Sequence, residues 1–302
     1  MEFLFWVAIV IGGLILAFSY YISRVVIYPR VRSVEETHKM ELEGDKMSDA
    51  EFDSWEKEEV RIRSPYGYDL YGLYLPIPGS KWTVIIAHGI TYSLYGSVKY
   101  VNLFRKRGCN VLLYEHRNHG RSGGKNTTFG LYEKYDLKAV VDWALARLGE
   151  GGKVGTHGES MGAAITLQHA AIDPRVQFVI ADCPYESVAA QVAYRLKAEY
   201  HLPYFPLIPL ASLFAGIQSG MFFGKVSPLR EVARITCPVF FIHGANDDYI
   251  PPQHSIRMHN AKKQGISRLW LAPNARHAES QPANRLEYDQ KVGDFLKEVG
   301  VV

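Results

Sequence analysis

Five short runs without a charge, Val84–Ala87, Val111–Tyr114, Phe178–Ala181, Val239–Ile242 and Leu269–Leu271, constrain this chain more than any other feature. A run apolar at every position cannot turn one face to water, so each reads as a strand buried on both faces, the signature of a parallel sheet. Each is expected to be a central strand. Between them lie stretches of helical period, notably Tyr132–Leu148 and Pro282–Val299, which imply right-handed crossovers and helices on both faces of a mostly parallel sheet. Ahead of the first run, Val60–Arg63 and Leu70–Leu75 flank the turn Pro65-Tyr66-Gly67-Tyr68 and read as an opening hairpin. The fold class is therefore α/β. One region breaks the alternation: residues 186–235 are rich in Tyr, Phe, Leu and Pro and read as an inserted helical cap. Its apolar residues, among them Tyr194, Leu196, Tyr200, Tyr204, Phe205, Leu213, Phe214, Met221 and Phe222, are expected mostly to form the cap's own core, with a minority lining a pocket.

The chain of 302 residues fits one such unit with an insertion, and 47% hydrophobic against 22% charged residues excludes a disordered or fibrous polymer. A net charge of +3 is too balanced for a nucleic-acid partner. Cys109, Cys183 and Cys237 are odd in number and have no ligand spacing, so neither a disulfide framework nor a metal site is written here.

Residues 3–22 carry no charge, and as a helix they rise about 30 Å, the thickness of a bilayer core. A cleaved signal peptide is the competing reading, but Glu2 stands where a basic residue belongs and no small-x-small site follows. Tyr20 and Tyr21 occupy the interfacial position, and Arg24, Arg30 and Arg32 all lie on the C-terminal side. That asymmetry predicts a single-pass anchor in the cell membrane with the remaining chain in the cytoplasm, a reducing compartment that suits unpaired cysteines. Residues 33–60 hold 11 acidic and 3 basic side chains and separate the anchor, residues 1–32, from a more basic domain spanning 61–302. Within them, Ser48-Asp49-Ala50-Glu51 has capping-box spacing and predicts a short helix through Trp55, either solvated or docked on the domain.

Chemistry enters at Gly158-Glu159-Ser160-Met161-Gly162, which follows a strand candidate, Lys153–Thr156, and opens a helix-prone stretch. In that context the pentapeptide is a nucleophile elbow, with Ser160 pushed out at the turn. A serine hydroxyl is a weak nucleophile near neutral pH and requires a base and an orienting acid. Asp247 lies in the loop after Val239–Ile242, and His277 lies just after the last apolar run. Either alone is an ordinary turn or surface residue; together the order Ser160, Asp247, His277 is that of the α/β-hydrolase triad. Asp182, at the end of the strand after the elbow, is the alternative acid. His116 and His119 stand three apart, but the glycines that follow deny them a helix and no third ligand completes a metal set. His157, directly before the elbow, is expected to pack beneath the turn.

From residue 60 onward the sequence resembles the α/β-hydrolase superfamily. His243–Pro251 matches H-G-x-x-D-x-x-[IV]-P, and His119-Gly120-Arg121-Ser122-Gly123-Gly124 resembles its H-G-x-S turn, departing at Glu115 and Asn118 where Asp and Gly are more usual. His88-Gly89-Ile90 is similar to the oxyanion loop, which implies that the backbone N–H groups of Ile90 and Met161 hold a developing oxyanion. Within the superfamily the chain most resembles capped bacterial esterases grouped with serine aminopeptidases and monoacylglycerol lipases. The resemblance implies a serine hydrolase that cleaves carboxylic, lipophilic acyl esters through an acyl-enzyme, without a cofactor. A peptidase or thioesterase using the same triad is the alternative, and a catalytically silent fold used for binding is a third reading, opposed by the intact triad.

Overall fold

The computed structural model describes residues 1–302. Strands β1 (Glu58–Arg63), β2 (Asp69–Leu75), β3 (Trp82–Ala87), β4 (Asn110–Tyr114), β5 (Lys153–Glu159), β6 (Val176–Asp182), β7 (Val239–Gly244) and β8 (Ser267–Ala272) form one sheet in the order β1-β2-β4-β3-β5-β6-β7-β8. The hairpin strands pair antiparallel, β1 with β2 and β2 with β4, and every other pair is parallel. The helices are α1 (Glu2–Ile27), α2 (Val34–Glu43), α3 (Asp49–Ser54), α4 (Val101–Arg105), α5 (Glu133–Leu148), α6 (Met161–Ala170), α7 (Val188–Tyr200), α8 (Leu207–Ser219), α9 (Pro228–Glu231), α10 (Gln253–Ala261), α11 (Ser280–Ala283) and α12 (Arg285–Glu298).

Alternation along each strand feeds two cores. Ile85, Ala87, Leu112 and Tyr114 pack with α5 and α6 on one face, while Val84, Ile86, Val111 and Leu113 pack with α4 and α12 on the other. Helix α5 shows how local chemistry fixes a boundary: Glu133 and Asp136 occupy its first turn, Arg147 its last, and Gly149 ends it at φ +69°.

Four expectations are corrected. The run Leu269–Leu271 is not a central strand: β8 is an edge, bonded only to β7. Its apolar residues are only partly covered, Trp270 packing edge-on against Tyr288 of α12 at 5.9 Å while Leu271 is exposed, and a short apolar run does not report position within a sheet. The helix expected over Pro282–Val299 breaks at Asn284 into α11 and α12. The capping box sits at Ser33, whose hydroxyl accepts from Glu36 N–H at 3.0 Å while the Glu36 carboxylate accepts from Ser33 N–H at 2.8 Å. Ser48 does start α3, but its side chain makes no cap bond, and Glu51 turns away to accept from Asn102.

The acidic segment docks on the domain: Phe52 is buried in the second core, Arg285 bonds Asp45 at 2.8 Å, and Glu41 is buried in the field of Lys99. The fourth correction concerns the cap, α7 to α9 between β6 and β7. Leu196 and Met221 are buried, but Tyr204, Phe205, Leu213 and Ile217 are exposed, Phe205 at 74% and Ile217 at 72%. Helix α1 continues five residues past Ile22, and its C-terminal turns pack along α8. There Gln218 Nε2 donates to Ser23 Oγ at 3.0 Å, and Tyr20 meets Phe214 edge-on at 5.6 Å.

Candidate active site

The site lies at the C-terminal ends of the central strands, where an open α/β sheet places its ligands. Strand β5 ends at Glu159 and α6 begins at Met161, so Ser160 alone makes the reversal, at φ +55° and ψ −114°. A non-glycine residue is held there only by surroundings that over-determine it. The flanking glycines show how tightly: a Cβ on Gly158 would stand 2.4 Å from the Gly162 carbonyl carbon, and one on Gly162 would stand 2.0 Å from the Ala87 carbonyl oxygen. The Ser160 N–H donates to the Asp182 carbonyl at 2.8 Å, tying the elbow to β6.

Ser160 Oγ lies 2.9 Å from His277 Nε2, and His277 Nδ1 lies 2.7 Å from Asp247 Oδ2. The loop after β7 supplies Asp247, and the turn after β8 supplies His277. The other oxygen of Asp247 accepts from the N–H groups of Tyr249 at 2.9 Å and Ile250 at 2.8 Å, so the loop's own backbone orients the carboxylate. Burial alone would raise the Asp247 pKa; the contacts to His243 and His277 outweigh it and hold this carboxyl well below the usual range. The Tyr249 ring lies tilted against His277 with centroids 4.9 Å apart, and Arg195 of α7 lies over that same ring at 4.3 Å.

Ile90 and Met161 line the same cavity as Ser160, and neither backbone N–H has an acceptor within the protein. Two unpaired donors beside a serine hydroxyl suit an oxygen that gains negative charge. The alternative acid, Asp182, is committed elsewhere. It accepts from Ser280 at 2.9 Å and from Tyr288 at 3.1 Å, and burial, followed by the charge of Glu159, raises its pKa to about 6.

Three histidines brace the loop that carries Ile90. His116 N–H donates to His88 Nε2 at 3.0 Å, and Thr91 N–H donates to His119 Nε2 at 3.1 Å. Burial depresses all three imidazoles, His116 to about 3, so they are neutral struts. His157 lies under the elbow, fully buried, with Nε2 3.0 Å from the Tyr288 hydroxyl. Asn118 stands at φ +62°, a conformation asparagine tolerates better than most residues, which explains the departure from glycine. The Glu115 carboxylate accepts from Arg121 N–H and tightens the same turn. Cys183 Sγ lies within 4.8 Å of ligand atoms of Asp247 and His277, but those two are already bonded to each other and burial pushes the thiol pKa up.

Several contacts had no local signal in the sequence. Glu159, the variable residue of the elbow, accepts from Tyr100 at 2.5 Å and pairs with buried Lys99 at 2.6 Å. Gln191 and Tyr194 of α7 donate to the carbonyls of Tyr249 and Asp248 at 2.7 and 3.0 Å, so the cap holds the acid loop. Arg32, in the segment that follows α1, bonds Thr91 through both its backbone and its guanidinium, at 2.9 and 2.6 Å, beside Ile90. These partners lie tens of residues apart, where no periodicity relates them.

A doubly covered, mostly parallel eight-stranded sheet with a serine on a strand-to-helix elbow defines the class, and this chain belongs to the α/β-hydrolase family. The profile of the α/β hydrolase fold matches residues 83–206. The chain is 39% identical over 295 residues to the uncharacterized protein YqkD of Bacillus subtilis, spanning 96% of each. It is 26% identical to the human α/β hydrolase domain-containing protein 17B over 64% of its own length and 60% of that protein's. Among solved structures, the Pyrococcus furiosus esterase Pf2001 superposes with a TM-score of 0.69 at 28% identity, over 83% of this chain and 94% of that one. Est1E from Butyrivibrio proteoclasticus, with bound ferulic acid, shares the fold at a TM-score of 0.63 and 18% identity, over 80% of this chain and 100% of that one.

Proposed function

We propose that this protein is a membrane-anchored serine hydrolase that cleaves carboxylic esters with lipophilic acyl groups. The observation that carries the reading is the unbroken relay from Ser160 Oγ through His277 to Asp247, with Ser160 lining a mostly apolar cavity. His277 takes the Ser160 proton as Oγ attacks the ester carbonyl carbon, and Asp247 stabilises the imidazolium. The N–H groups of Ile90 and Met161 hold the oxyanion, each donor of this type being worth about 3 kcal/mol in the transition state. Collapse breaks the bond to the alcohol, which leaves with the proton from His277. Water, deprotonated by His277, then releases the acid and restores Ser160. No step calls for a cofactor.

In this reading residues 1–32 are the anchor, residues 33–60 an acidic segment, and residues 61–302 the hydrolase domain, with the cap at about 186–235. Helix α1 is long and apolar enough to cross a membrane. Arg24, Arg30 and Arg32 support a cytoplasmic domain by the positive-inside rule. The test is turnover of p-nitrophenyl esters against aminoacyl amides by the full-length protein. Ester kcat/KM should exceed amide kcat/KM, and Ser160→Ala should lower it by about 10⁴ or more. Faster amide turnover would replace the esterase reading with a peptidase, and undiminished turnover by Ser160→Ala would remove the triad.

A further inference from the structure

The cavity above Ser160, about 410 Å³, is lined on one side by helix α1, the helix long and apolar enough to cross a membrane. Phe18, Ile22, Val25 and Val26 of α1 form a stripe at helical spacing that faces the cavity, opposite Val192 and Leu196 of α7. The adjoining face of α1, carrying Ser19 and Ser23, is buried, and Ser23 bonds Gln218 of α8. The helix is thus fixed against the domain by one stripe while another faces the cavity. Its end is locked as well, because Ile27 O accepts from Thr127 N–H at 2.9 Å.

Depth follows from the same residues. If residues 3–22 fill the apolar core of the bilayer, Phe18 and Ile22 lie towards its edge, level with the first carbons of the nearer leaflet's acyl chains, next to their ester groups. The cap beside them suits that position: residues 202–224 carry no charge, and Phe205 and Ile217 are exposed on it. Exposed aromatic and aliphatic side chains next to a membrane span belong in lipid rather than in water.

Building on the esterase reading, we propose that the anchor helix is part of the acyl-binding site. The acyl chain of a membrane lipid ester enters sideways from the leaflet, between α1 and the cap, and lies along Phe18, Ile22 and Val26 with its carbonyl at Ser160. The helix therefore sets chain-length preference in addition to holding the enzyme at the membrane.

The experiment uses full-length protein in lipid nanodiscs and reads the ratio of kcat/KM for p-nitrophenyl decanoate to that for p-nitrophenyl acetate. Val26→Trp fills the cavity and should lower this ratio about tenfold, whereas Leu14→Trp, on an exposed face of the same helix, should leave it at the wild-type value. Phe18→Ala removes bulk and should move the preferred acyl chain to greater length, so the idea stays testable if the tryptophan variant misfolds. A ratio unchanged in both Val26→Trp and Phe18→Ala, in protein that still hydrolyses esters through Ser160, would overturn this proposal alone. Wild-type protein that hydrolyses no ester would instead overturn the reading on which it rests.

Discussion

Replacing Asp247 by Asn tests the relay at the point where its geometry is most fully specified. The amide preserves the shape of the carboxylate, and the N–H groups of Tyr249 and Ile250 still have an oxygen to meet, so the loop should keep its conformation. What disappears is a buried negative charge 2.7 Å from the His277 nitrogen that becomes part of a cation in the transition state. At an effective dielectric of about 20, unit charges about 3 Å apart attract by about 5.5 kcal/mol. Expressed as a rate, that is about 10⁴ in kcat. Steady-state hydrolysis of p-nitrophenyl butyrate, with circular dichroism as a check on folding, gives the number. Asp182→Asn should retain most activity, because Asp182 bonds Ser280 and Tyr288 and does not reach the histidine. A loss below about tenfold for Asp247→Asn, or an equal loss in both variants, would refute the assignment of the acid.

Three further outcomes follow from the geometry. Gly162→Ala places a Cβ 2.0 Å from the Ala87 carbonyl oxygen, which is backbone and has little room to move. It should cost about 3 kcal/mol and lower Tm by about 6 °C or more, and an unchanged melting curve would show that the elbow yields. Asp182 has its pKa raised from 3.8 to about 6, so its contribution to stability is full below about pH 4 and is lost as pH rises through about 6. Asp182→Asn should therefore gain about 3 kcal/mol relative to wild type between pH 4 and pH 7 in urea unfolding, and parallel pH profiles would contradict this. Protease added to intact protoplasts should leave the hydrolase domain uncut; its digestion without lysis would place the domain outside the cell.

The parts of the fold legible in the sequence were those encoded over a few neighbouring residues. A strand buried on both faces must be apolar at each position, so β3, β4, β6 and β7 stood out, and the elbow announced itself through two glycines that no other residue can replace. Position within the sheet was not legible, because Trp270 on the edge strand is partly covered by Tyr288 from a distant helix. The capping box was misplaced for a similar reason. Ser48 and Glu51 have the right spacing, but Asn102 draws Glu51 away. The relay itself depended only on the order of three residues at three strand ends. Its supports, Glu159 with Lys99 and Arg32 with Thr91, join segments 59 or more residues apart. The clearest gap was helix α1, whose apolar residues read as a candidate membrane span in sequence and line a cavity once α7 stands opposite them.

The central claim is that Ser160 is an activated nucleophile, and covalent labelling tests it most directly. Full-length protein treated with a fluorophosphonate and analysed by peptide mass spectrometry should carry one adduct, on the peptide containing Ser160, and Ser160→Ala should carry none. An adduct on another serine, or none on wild-type protein that is folded, would contradict the account.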